Sequence, residues 1–283
     1  MTATPDSGSG WFGRPATWKA VLFVVAYLVF YLLVGRVTGR LLADRIDDDN
    51  IVASASSIVF GIALPIAIGG AALLALVARL GWLRDIFGRQ PVRGRGWMWI
   101  GPLLVIGAIV AHVTGTDFSE WTGSELAALA VFGVCVGFTE ELATRGVAVK
   151  IIRDAGHTER YVAVVSSLLF ALMHTANLFT GMALATVAVT VVYTFAFGMC
   201  MYLAMRVTGS IWTAIVLHGL TDPTTILATG GLDEAVANQN SGASAAASAI
   251  TTVLILFGFA AAFFVRGKHG VSTAPGTTHG AVA

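Results

Sequence analysis

The sequence predicts an all-α, polytopic membrane protein with eight transmembrane helices, four of them forming an inner core. Three observations predict it. Of 283 residues, 56% are hydrophobic and only 12% are charged, where a soluble domain carries roughly 25% charged residues. The mean hydropathy is +0.80. The apolar residues also fall into runs that match the roughly 17–25 residues a helix needs to cross a bilayer. The natural surroundings of such a chain are the lipid bilayer. No strongly basic cluster points to a nucleic-acid partner. Cys135 and Cys200 both lie in apolar runs and read as small buried hydrophobes rather than a disulfide or a metal-ligand pair.

Residues 1–14, rich in Gly, Ser, Thr and Pro, are expected to be a disordered tail. The membrane helical domain is expected over 15–266, with its core at 124–229, followed by a disordered tail over 267–283. The first helix, 18–39, exceeds a signal-peptide core and lacks a small-residue cleavage site, so it reads as a retained span. The second covers 51–78. The third, 96–114, opens on Trp97 and Trp99, whose indoles favour the membrane interface. The fourth, 124–152, is expected to be one long helix whose end projects into water. The fifth and sixth cover 160–179 and 182–205. The seventh, 210–229, contains Pro223, which disfavours α geometry at Asp222 and predicts a kink. The eighth covers 245–265.

Basic residues set the orientation. With a cytoplasmic N-terminus, 14 of the 17 Lys and Arg residues collect on the inner side, and only Arg36, Arg40 and Arg45 lie outside. Positive segments stay in the cytoplasm, so a plasma-membrane protein with both termini inside is expected. Depth then follows from helix rise. Glu140 is 13 residues from Arg153, His174 is 14 from Arg160 and His218 is 12 from Arg206. At 1.5 Å per residue, all three lie roughly 18–21 Å from the inner basic residues. Ionisable groups at such depth cost about 2.5–3.5 kcal/mol each and mark functional sites by default.

Three constellations carry them. In the first, Glu141 and Arg145 are four apart and share a helix face, so they can pair. Glu140 is turned about 100° away and stays free for proton chemistry; burial and proton transfer make such a carboxylate suited to activating water. In the second, Phe170 and His174 are one turn apart, followed by Asn177. In the third, His218 and Asp222 share a face, and the acid can fix the orientation of the ring or ligate a metal. Just before Glu140, Gly133 and Gly137 have the small-xxx-small spacing that brings a neighbouring helix close. The bland readings are two acids on a helix that leaves the membrane, a core histidine joining two helices, and a kinked helix with a satisfied polar pair.

The ordered set Glu140-Glu141-x-x-x-Arg145, Phe170-x-x-x-His174 and His218-x-x-x-Asp222, on separate apolar helices, resembles the CPBP family of intramembrane proteases, also called Abi, whose relatives include the type II CAAX prenyl endopeptidases. The resemblance covers about residues 124–229. It implies an endopeptidase acting on a peptide or protein substrate at the membrane. It implies that Glu140 activates water, that His174 helps position it, and that His218 and Asp222 stabilise the oxyanion, with Glu141 and Arg145 in support. Asp stands where the prenyl endopeptidases tend to carry Asn, and an ionised Asp cannot donate a hydrogen bond. Glu140, His174, His218 and Asp222 would also suit a divalent metal such as zinc, although no HExxH spacing is present. Water activation without metal is the favoured of the two. The alternatives are a silent relative serving as a bacteriocin-immunity or scaffold protein, and a proton-coupled transporter.

Overall fold

The computed structural model describes residues 15–47, 49–230 and 240–269. The expected tail 1–14 and most of 267–283 lie outside the described residues. Nine helices are present among those described: α1 (Thr17–Leu41), α2 (Ala55–Arg79), a short α3 (Leu83–Phe87), α4 (Ile100–Gly115), α5 (Gly123–Asp154), α6 (Glu159–Met173), α7 (Leu184–Thr208), α8 (Ile211–Thr229) and α9 (Ser241–Phe264). Each expected span has its helix. Seven helices are long and apolar enough to cross a membrane, which makes this a polytopic membrane protein. The exception among the expected eight is α8, whose 19 residues include His218, Asp222 and a run of threonines that lower its hydropathy.

Helix starts follow local chemistry. Thr122 caps α5 in a capping box: its hydroxyl accepts from the Glu125 amide at 3.2 Å, and the Thr122 amide donates to Glu125 Oε2 at 2.8 Å. Thr158 caps α6 and Ser210 caps α8 through the amides of Tyr161 and Trp212. Gly209, at φ 74°, closes α7 in the left-handed conformation, which lets α8 begin two residues later, after its cap Ser210.

α5 and α8 form the most extensive helix pair, α8 also packs on α7, and α6 lies against α7. A Cβ at Gly133 would run into the carbonyl oxygen of Gly219, and one at Gly219 would come within 2.6 Å of the Gly133 carbonyl. The glycines of α5 therefore bring its backbone onto α8, as the small-xxx-small spacing predicts. α8 runs helically through Pro223. The carbonyl of Gly219, whose α partner would be the N–H that proline lacks, lies against Gly133 of α5. α1 packs on α2 and on the middle of α5, and α9 packs on α4 and α7. Large apolar side chains on the outer faces, such as Leu33, Leu103, Val134 and Leu256, are exposed, as expected of residues that meet lipid.

The long α5 departs from expectation in two ways. Residues Leu142–Ala148 form a π-helical stretch, a geometry often found at functional sites. Its C-terminal end does not project into water: Ile152 and Arg153 are buried, and Arg153 pairs with Glu159. The reason is a buried partner supplied by the next helix, which hydropathy does not reveal.

Candidate active site

Glu140 and Glu141 end the α-helical part of α5, immediately before the π-helical stretch. Their fates differ, as their angular separation predicts. The Glu141 side chain is fully buried and lies 3.2 Å from Arg145 Nη1. That same nitrogen donates to Thr144 Oγ1 at 2.6 Å, and the Thr144 hydroxyl donates to the Glu140 carbonyl at 2.6 Å. Thr144 thus ties the backbone at Glu140 to the ion pair across the π-helical turn. The sequence pattern gives Thr144 no role, because its part depends on this local backbone geometry.

His218, on α8, connects the motifs. Its Nδ1 lies 2.9 Å from Glu141 Oε1. A carboxylate only accepts, so Nδ1 carries the hydrogen and donates it. Nε2 then faces Glu140 Oε2 at 3.8 Å and Asp222 Oδ2 at 3.7 Å. Both separations exceed hydrogen-bond length. Asp222 and Glu140 retain 35% and 22% side-chain exposure, against none for Glu141, so two of the three carboxylates keep a route to a ligand or solvent.

His174 sits where α6 tightens into the 3-10 turn His174–Thr180. Its Nδ1 donates to the Phe170 carbonyl at 3.0 Å, which leaves the other ring nitrogen as an acceptor. A cavity of about 100 Å³ joins this ring to Glu140. Tyr27, Tyr31, Ile66, Thr139 and Asn177 also line it. The space is large enough to admit several waters. His218 and Asp222 do not line this cavity. The structure therefore gathers Glu140, Glu141, Arg145, His218 and Asp222 in one charged cluster, and brings His174 to it across the cavity beside Glu140 and through the ring of Phe170.

Phe170 holds these groups in place. Its ring lies edge-on to His174 at 5.0 Å and to His218 at 5.6 Å, with the Arg145 guanidinium over its face at 4.5 Å. Phe197 contacts His218 edge-on from α7 at 5.2 Å. Cation–π stacking offsets an incomplete shell, because Arg145 Nε and one terminal nitrogen, and Glu141 Oε2, are buried with no hydrogen-bond partner. Gly198 makes room for that arginine: a Cβ there would lie 2.7 Å from Arg145 Nη2. Sequence reasoning missed Phe197 and Gly198, since neither carries a polar signal.

The donor set does not fit a metal. Among the described residues no group of three or more His, Cys, Asp or Glu side chains is placed to hold one. The zinc metalloprotease alternative is therefore not supported.

An all-α membrane bundle enclosing adjacent carboxylates and imidazoles defines a class of intramembrane proteins with a buried polar centre. Residues 122–224 match the family model described as type II CAAX prenyl endopeptidase Rce1-like, and the chain carries a domain of that CPBP family of intramembrane proteases. The match spans α5 to α8 and takes in all three motifs. No curated protein and no solved structure matches the chain.

Proposed function

We propose that this protein is a glutamate-dependent intramembrane endopeptidase. Its catalytic core is the four helices α5 to α8, with α8 as an eighth span. Both termini lie in the cytoplasm and the multi-pass chain sits in the plasma membrane, the orientation that the basic residues favour. One observation carries the reading: Glu141 is locked by Arg145 and His218, while its neighbour Glu140 opens onto a cavity shared with His174 that admits water.

The chemistry follows from that split. Glu140 takes a proton from a water held between its carboxylate and His174. The water oxygen attacks the peptide carbonyl carbon, and the carbonyl π pair moves onto oxygen. As the tetrahedral species collapses, the C=O bond re-forms and the C–N bond breaks. The leaving nitrogen takes the proton from Glu140. Glu141 and Arg145 keep His218 oriented beside Glu140, and Asp222 flanks the same ring. Substrates are peptides or proteins at the membrane, and a prenylated C-terminal peptide is the first to try, given the family description.

The test is the release of peptides from membranes of cells expressing wild type or Glu140→Gln. Products present only with wild type support the reading, and their survival under 1,10-phenanthroline supports the metal-free step. Identical product sets would instead leave a silent scaffold. Proton-driven solute flux by the reconstituted protein would make it a transporter.

A further inference from the structure

The proposed reaction develops negative charge on the carbonyl oxygen, and a preorganised donor there gives a large share of catalysis. Asp222 is a poor donor when ionised, and neither it nor His218 lines the cavity beside Glu140. The other wall of that cavity is α1. Tyr27 and Tyr31 are four apart on one face of it, and both line the cavity with Glu140 and His174.

Their hydroxyls are not among the fully enclosed, unpartnered polar atoms, as expected of groups at a cavity wall. Tyr27 is buried, at 8% exposure. Buried tyrosine hydroxyls usually have a partner, and Tyr202 does: its hydroxyl meets Glu159 and Arg206. Neither Tyr27 nor Tyr31 has a hydrogen-bond partner among the described residues. The fold also protects the space they use. On α2, a Cβ at Gly69 would lie 2.7 Å from the Tyr27 hydroxyl, and one at Gly70 would strike the Thr139 hydroxyl. That threonine precedes Glu140 and is fixed by donation to the Ile66 carbonyl at 3.2 Å. The paired glycines let α2 approach while Tyr27 keeps its position.

We propose that Tyr27 and Tyr31 are catalytic donors, whose hydroxyls bind the carbonyl oxygen of the scissile peptide bond and stabilise its oxyanion. The inference rests on the endopeptidase reading. It extends the site to a helix outside the matched segment 122–224. In the step already described, the tyrosines transfer no proton; each O–H bond stays intact while the oxyanion forms and collapses.

The experiment uses the full chain in liposomes with a quenched-fluorescent peptide library, half of it bearing a farnesylated C-terminal cysteine motif. Removing one such donor typically lowers kcat about 10²–10³-fold. Because two tyrosines share the task, Tyr27→Phe and Tyr31→Phe are each expected to lower kcat about tenfold, and the double variant about 10²–10³-fold, with KM within roughly threefold. Gly69→Ala should displace the Tyr27 hydroxyl and lower kcat in the wild type, yet add little to Tyr27→Phe. Thermal unfolding controls for folding, since Phe keeps the ring. A double variant within twofold of wild-type kcat overturns the inference while leaving the protease reading intact. So does a raised KM at unchanged kcat, which marks packing alone. A wild type that cleaves no faster than Glu140→Gln overturns the protease reading, and this inference with it.

Discussion

Glu159 and Glu141 are both fully buried carboxylates facing arginine, yet their surroundings differ. Glu159 is satisfied on every side. Arg153 donates to both its oxygens at 2.8 and 2.9 Å, Arg206 donates at 2.7 Å, and Tyr202 donates as well. The arginines are then used to the full: Arg153 reaches Gln90, and Arg206 reaches the carbonyls of Val92 and Arg93. The Glu159 amide donates to the Gly267 carbonyl at 2.9 Å, and Thr158 pairs with Lys268. This cluster ties the α6 start to the segment before α4, the end of α7 and the chain after α9. The Glu141 cluster has orphaned atoms and separations of 3.7–3.8 Å. A complete network fixes a fold, whereas an incomplete one keeps capacity for a substrate and is where local rules are broken for function.

Five measurements would break or sharpen that contrast. The largest effect is expected for Glu140→Gln, which should lower peptide cleavage by about 10²–10⁴-fold and leave the thermal midpoint unchanged. Glu159→Ala should do the reverse. Stranding two buried arginines costs about 3–5 kcal/mol, read as a lower unfolding midpoint in detergent, while cleavage per folded molecule persists. If Glu159→Ala removed activity from stable protein, the division between the clusters would fail. Glu141→Gln should lie between them, weakening both activity and stability, because Glu141 holds Arg145 and orients His218; an effect on only one of the two would place it wholly in one class. Phe170→Leu should lose a cation–π contact of about 0.5–2 kcal/mol and slow cleavage through loosened rings, with a smaller change in KM. The smallest effect is expected at Asp117, an exposed residue whose carboxyl is held below the usual range by the Ser119 hydroxyl and amide. Its ionised form favours the folded state above the ordinary carboxylate pKa, and that contribution fades as pH falls through the lower folded value. Asp117→Asn should therefore flatten only the acid limb of a stability–pH curve and leave cleavage alone.

Much of the site was legible because the relevant geometry is local. Adjacent residues on a helix diverge by about 100° and residues four apart converge. That separates Glu140 from Glu141 and joins Glu141 to Arg145 before any packing is known. The π-helical turn at Leu142–Ala148 is a departure, yet the pair survives it because Arg145 is long and Thr144 bridges the gap. The burial of Arg153 was not legible. An arginine near a span end reads as a cytoplasmic marker, and its true role depends on Glu159 and Gln90, one of them 63 residues away.

The sequence by itself determined that the chain is a bundle of membrane helices and which acid and imidazoles lie at depth, since hydropathy and helical period act over a single segment. Only the tertiary structure decided that Phe170 touches Arg145 and His218, that Gly198 admits the arginine, and that two tyrosines of α1 face Glu140. Those relations join helices far apart in the chain, and an apolar ring, a glycine or a lone hydroxyl shows its purpose only through what is packed against it.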